Sequence, residues 1–351
     1  MDGEKIHDVF LICSCCGFES SLNCQLVWFG EIFMTTRITN LLGIKYPIVQ
    51  AGMSWASSNV ELPAAVSNAG ALGVLAAGPM RVDDFSRTLD ALAGATDKPY
   101  AVNIPLYRPQ AAELLDAMAA RQVPVVIASQ GGPKAHLPRF REYGAVWIQV
   151  VSTLEHAKKA ADAGVDALVV VGGEAGGHPP ANEVSTLVTV RRVLQEVSVP
   201  VIAGGGVADG WGIAALLALG ADAVQLGTRF LLTQEAGVHE RYKAAVLAAD
   251  VHDTALIGRR GLPVRGIRNA FAQAIFDAER EQMPQEHYDA LFKKSTLKQA
   301  ALDGDIEWGK VELGQSAGLI SSIRPAAEVV KQLADELRQA SARLHEMDLR
   351  G

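Results

Sequence analysis

Cysteine is confined to the start of the chain: Cys13, Cys15, Cys16 and Cys24 are the only four, and none occurs later. A disulfide framework for the remaining sequence is excluded, and a reducing cytoplasm is the expected compartment. Aromatic residues are scarce, at 6%, and no apolar run approaches the roughly 18 to 20 residues that a membrane-spanning helix needs. Positive charge is in deficit. A formal net charge of −7 leaves no footprint for nucleic acid. The signature G-x-G-x-x-G is also missing after the first apolar run, where Gln50-Ala51-Gly52-Met53-Ser54-Trp55 stands instead, which argues against a doubly wound dinucleotide-binding sheet. What the chain has in quantity is glycine and aliphatic residues. With 49% hydrophobic and 20% charged residues over 351 positions, it reads as a globular protein with a large core and a small-molecule substrate.

Residues 1–33 differ in composition from the rest of the chain. As a thiolate metal site, the four cysteines lack paired Cys-x₂₋₄-Cys spacing, and His7 is the one early histidine. As a signal peptide, the segment opens acidic, with Met1-Asp2-Gly3-Glu4, and its apolar stretch Val9-Phe10-Leu11-Ile12 is short. These residues are expected to be an extension outside the fold, with no metal bound, and Met34-Thr35-Thr36-Arg37 reads as the natural beginning.

From there the chain alternates strand-length apolar runs with helical segments. The runs are Pro47 to Gln50, Leu72 to Ala76, Tyr100 to Ile104, Pro124 to Ala128, Val146 to Val151, Ala167 to Val171, Pro200 to Ala203 and Ala223 to Leu226. They are continuous rather than alternating, the pattern of parallel strands covered on both faces. Gly70, Gly144, Gly164 and Gly220 each stand where a helix should stop and a strand start. Eight βα units in one series predict an α/β fold, a (β/α)₈ TIM barrel over residues 34–236. A smaller helical cap is expected over 237–305, and 306–351, including an amphipathic helix from Ala326 to about Leu344, is expected to pack back on the barrel beside its first strand.

In such a barrel the chemistry gathers at the C-terminal strand ends. The stretch Gly172-Gly173-Glu174-Ala175-Gly176-Gly177-His178 opens a buried strand into a glycine turn, where peptide planes are free to lie against a flat ligand. His178 would stand over that ligand as a proton donor or acceptor near neutrality. Gly204-Gly205-Gly206 and Gly227-Thr228, with helices expected to start at Asp209 and Thr228, form a phosphate cradle of free N–H groups. Phosphate on one side and a flat cleft on the other describe a flavin mononucleotide site.

At these positions the chain resembles the nitronate monooxygenase, or 2-nitropropane dioxygenase-like, flavoproteins, whose barrel is shared with enoyl-acyl-carrier-protein reductase II and an NADH:quinone reductase. The resemblance rests on Tyr46-Pro47-Ile48-Val49-Gln50-Ala51-Gly52-Met53, Lys98 to Asn103, Glu174-Ala175-Gly176-Gly177-His178, Ala203 to Gly210, Gln225 to Phe230 and Gly314 to Leu319. It implies FMN, with the ring near Gly52, Met53 and Asn103, the phosphate on Gly205, Gly206, Gly227 and Thr228 with Gln225 nearby, and Gln149 and Gly176 also among the cofactor-binding residues. It assigns His178 to the reactive face. The implied reaction is oxidation of alkyl nitronates by O₂; the alternative is an NAD(P)H-dependent reductase of quinones or of an enoyl thioester on acyl carrier protein. A homodimer is a candidate assembly. Two departures from the family bear on the branch: Pro179-Pro180 come after the histidine where a glycine is common, and Ala51-Gly52-Met53 is nearer the reductases' Gly-Gly-Met than Ala-Pro-Met.

The remaining histidines, His136, His156, His239, His252 and His287, have no partner at ligand spacing and are expected to be solvated. Arg259, Arg260, Arg265 and Arg268 form a basic cluster suited either to phosphates or to an ordinary charged face. Glu174 reads equally as a buried acid or as a cap for nearby N–H groups, and Trp211 and Trp308 as core or interface aromatics.

Overall fold

Apolar runs this short hide both faces only when helices cover one side and other strands the other, and a computed structural model, describing residues 34–347, closes them into a barrel. The strands are β1 (Ile48–Gln50), β2 (Gly73–Ala76), β3 (Tyr100–Pro105), β4 (Val125–Ser129), β5 (Val146–Val151), β6 (Ala167–Val171), β7 (Val201–Gly204) and β8 (Ala223–Leu226). All pair in parallel in the order β1-β8-β7-β6-β5-β4-β3-β2. The remaining seam, β1 to β2, is narrow: Gln50 N–H donates to the Leu72 carbonyl and Leu72 N–H to that of Ile48, each at 2.9 Å. The buried Gln50 amide extends it, accepting from Val74 N–H at 2.8 Å and donating to the Val74 carbonyl at 3.2 Å.

Side chains alternate across the sheet. Val49, Val74, Ala101, Ile127, Ile148, Val169, Ile202 and Ala223 fill the barrel interior, whereas their neighbours meet the helices outside. The interior is plugged at its base by Ile38 and Leu42, from the helix Arg37–Leu42. That helix begins in a reciprocal cap between Thr36 and Thr39. Beside it Arg37 makes a forked pair with Asp222, at 2.8 and 2.7 Å. The four glycine stops named from sequence all have positive φ, which lets each helix end without strain.

After β8 the helix is a single turn, Thr228–Leu231. Its covering role falls to the 21-residue helix Ala326–Glu346, whose Val329, Val330, Leu333 and Leu337 enter the main core. It packs against the helices Gly210–Ala218 and Glu61–Asn68, on either side of β1. Between these parts, the segment expected to be helical contains the helices Glu240–Ala248, Ala270–Arg280, Gln285–Phe292 and Leu297–Ala301 and also an antiparallel hairpin, β9 (Thr254–Ile257) and β10 (Val264–Ile267). Four residues per strand, one of them Gly266, are too few to show an alternation in sequence. The N-terminal extension and its cysteines lie outside the described residues. No helix among those described is long and apolar enough to cross a membrane.

Candidate active site

All eight strand ends open into one cavity of about 1220 Å³. Every site residue named from sequence lies on its wall: Gly52, Met53, Asn103, Gln149, Gly176, His178, Gly205, Gly206, Gln225, Gly227 and Thr228. The wall has two sides of different construction.

On the β7–β8 side, Gly205 and Gly206 take φ of +111° and +73°, a conformation that exposes consecutive peptide N–H groups as an anion-binding concavity. A Cβ on Gly205 would stand 2.7 Å from Thr186 Oγ1. Glu174 braces the turn, its Oε2 accepting from Thr186 N–H at 2.8 Å, so the capping reading of this acid holds. Asp209 caps the helix Gly210–Ala218 through Gly212 N–H at 2.8 Å. The Thr228 hydroxyl accepts from Gly314 N–H at 2.9 Å, and its own hydrogen remains available for a ligand.

Two glycines of the wall, Gly52 after β1 and Gly176 after β6, have a packing role. The space a Cβ of Gly52 would fill belongs to Asn103, whose Cβ would lie 2.3 Å away, and that of Gly176 belongs to the Leu313 backbone, at 2.5 Å. In the Cβ direction these two glycines make room for close packing of protein on protein. Asn103 Nδ2 donates to the Ile127 carbonyl at 3.0 Å. The Gln149 amide is occupied at both ends, by the Gly131 carbonyl at 3.1 Å and the Trp147 indole N–H at 3.3 Å.

The opposite side carries the titratable groups. His178 is exposed into the cavity, and its Nδ1 lies 2.9 Å from the Pro263 carbonyl, which only accepts. Nδ1 therefore carries a proton, and in the neutral ring Nε2 holds the free lone pair. Three sets of contacts to the hairpin fix this loop: the Pro263 bond, the backbone hydrogen bonds that Gly177 and Arg265 exchange at 3.1 and 2.7 Å, and the bond from Arg265 Nε to the Gly173 carbonyl at 3.1 Å. On its other edge the hairpin meets Glu312 through a bridge from Gly266. Glu312 is half-buried, and its Oε2 lies 3.2 Å from where a Gly177 Cβ would be. Burial pushes its carboxyl above the usual range, partly countered by His178 and Lys310. The buried Tyr242 donates its hydroxyl to the Glu312 carbonyl at 2.8 Å.

Glu312, Tyr242 and Pro263 were not singled out from sequence. The sole signal was the proximity of Glu312 to the motif Gly314 to Leu319. The basic cluster, in contrast, is absorbed structurally. Arg265 is buried and bonds Glu183 at 2.7 Å and the Gly173 carbonyl at 3.1 Å; Arg259 also pairs with Glu183. Burial alone would raise Glu183, but the two arginines hold it below its ordinary range. Arg260 and Arg268 lie over Tyr288 and Phe276. The cations that do face the cavity are Arg108, Lys134 and Lys159, from the segments after β3, β4 and β5. His136 stacks on Trp147 and His239 caps the helix Glu240–Ala248, whereas Trp211 and Trp308 are 42% and 46% exposed, not core.

The chain matches the family described as nitronate monooxygenase over residues 35–123 and 113–336. A nitronate monooxygenase of Paraburkholderia phytofirmans is 33% identical over 356 residues, covering 87% of this chain and 96% of the relative. The (3aS,4S,5R,7aS)-5-hydroxy-7a-methyl-1-oxo-octahydro-1H-indene-4-carboxyl-CoA dehydrogenase of Mycobacterium tuberculosis is 32% identical over 340 residues, covering 86% and 95%. The solved structure of FabK from Thermotoga maritima superposes with a TM-score of 0.83 at 40% identity, covering 89% of this chain and 98% of the other. A barrel with all its strand ends turned to one cavity, a glycine-built concavity on one side and a histidine on the other, thus agrees with the match along the sequence, and the chain belongs to the nitronate monooxygenase family of oxidoreductases.

Proposed function

We propose that the protein is an FMN-dependent oxidoreductase that oxidises alkyl nitronates with O₂, acting on a small molecule in the cytoplasm. The supporting observation is the placement of His178, with Nδ1 fixed by Pro263 and its other nitrogen free, across one cavity from the Gly205–Gly206 turn. The residues present fit the cofactor. Positive φ at Gly205 and Gly206 creates the anion-binding concavity, Thr228 retains a hydroxyl hydrogen, and 1220 Å³ exceeds the roughly 300–1,000 Å³ of ordinary ligand pockets. FMN would rest its phosphate on Gly205, Gly206, Gly227 and Thr228, with Gln225 nearby, and its ring toward Gly52, Met53, Asn103, Gln149 and Gly176.

The flavin, when bound, supplies the two-electron chemistry; the chain supplies position and proton transfer. Nε2 of His178 is the group that takes the α-proton of a nitroalkane and, once protonated, donates a hydrogen bond to the nitronate oxygen. The carbonyl of Pro263 keeps that ring from turning. Met53, Leu231 and Leu313 form an apolar stretch of wall that limits water at the reacting atoms.

Anaerobic mixing of the FMN-loaded protein with propyl-2-nitronate should bleach the flavin absorbance, with restoration on admitting O₂. Bleaching by NADH alone would remove the reading. One observation favours a second reading, an NAD(P)H-dependent reductase of a quinone or enoyl thioester. Arg108 and Lys134 have no side-chain partner among the described residues and face the cavity, where a phosphorylated cosubstrate or carrier would meet them.

A further inference from the structure

Glu312 is the one acidic side chain on the cavity wall among the described residues. Its backbone is fixed on two sides, by the bridge to Gly266 and by Tyr242 on its carbonyl, yet among the described residues its carboxyl has neither a hydrogen bond nor an ion pair. The neighbouring cations are engaged elsewhere. The Lys310 ammonium sits 3.8 Å from the centre of the Phe292 ring, and Arg265 is turned to Gly173 and Glu183. Of the titratable groups packed around Glu312, His178 and Tyr242 share the cavity with it, and the Tyr242 hydroxyl is engaged on the Glu312 carbonyl.

An unpaired, half-buried carboxyl beside the proton-transferring imidazole has a definite consequence for charge. The geometry points to Glu312 as a specificity determinant: protonated, it donates a hydrogen bond to an anionic oxygen of the substrate, and ionised, it repels that anion. The substrate class selected is therefore a small planar anion at low pH and a neutral molecule at high pH. The inference takes the identity of the anion from the nitronate reading, whereas the charge rule itself is independent of turnover. Burial, which disfavours the ionised form, brings the change of rule closer to neutrality.

The test uses FMN-loaded wild type, Glu312→Gln and Glu312→Asp, with nitrate as an inert planar anion followed through the flavin spectrum at pH 6 and pH 9. Gln keeps the shape and a neutral donor; Asp keeps the charge. Nitrate binding by wild type should weaken with rising pH at least about tenfold more than binding by Glu312→Gln, the size of one like-charge contact in a partly buried site. Glu312→Asp should retain the fall. The kcat/KM for propyl-2-nitronate should follow the same ordering. Nitrate data that obey the rule without nitronate turnover in any variant support the charge rule and remove the nitronate reading. Nitronate turnover with parallel pH profiles in wild type and Glu312→Gln, or equal nitrate affinities throughout, overturns the role of Glu312.

Discussion

The two sides of the cavity are held by different parts of the chain. The concavity at Gly205, Gly206 and Thr228 is made by turns of the barrel itself and braced chiefly by Glu174 and Thr186 from the neighbouring βα unit. The side bearing His178 and Glu312 is held by the hairpin after β8, through contacts that join residues 85 and 92 positions apart, His178 to Pro263 and Gly173 to Arg265. The proposed phosphate seat thus arises from the repeating unit, whereas the side proposed to be reactive depends on an insertion that a βα repeat does not require. Cofactor retention and turnover should therefore be separable by mutation.

The largest separation is expected at His178. His178→Ala should keep its flavin and lose about 10²- to 10⁴-fold in kcat/KM, measured on propyl-2-nitronate. On the other side, Gly205→Val forces a branched side chain into φ +111° and against Thr186. Strain of up to about 3 kcal/mol should weaken FMN binding about 100-fold, read by titration of flavin fluorescence. Arg265→Met removes a buried guanidinium that bonds Gly173, Thr254 and Glu183. A stability loss of about 2–3 kcal/mol is expected in urea unfolding, with turnover falling further than flavin content.

A smaller effect concerns pH. The folded Glu312 carboxyl titrates above its ordinary range because of burial, so between the unfolded and folded values the native state binds the extra proton, and stability falls as pH rises. Glu312→Gln should abolish that decline, seen as a Tm difference in its favour that grows with pH and then levels off. The smallest change is at the base of the barrel. Arg37→Ala opens a forked pair whose arginine is 51% exposed, so about 1 kcal/mol should be lost, with flavin content and kcat/KM unchanged.

The same division governs what could be read from sequence. Each barrel strand is a local apolar run bounded by Gly or Pro, and the observed strands begin and end within one residue of those runs. The glycines and Thr228 after β7 and β8 are similarly legible, because a turn that exposes N–H groups has a local composition. His178 was visible beside its glycines. Glu312 was not, since its partners come from β10 and the loop after β6, and an acid two residues before a glycine carries no mark of its distant neighbours. The arginines left two readings open for the same reason: the acid that pairs with Arg265, Glu183, lies 82 positions away in sequence.

A crystal structure of the FMN-loaded protein tests the division most directly. The phosphate should lie on the amides of Gly205, Gly206 and Gly227 beside the Thr228 hydroxyl, with Nε2 of His178 facing the ring. A phosphate seated instead among Arg108, Lys134 and Lys159, with the ring turned from His178, would contradict it.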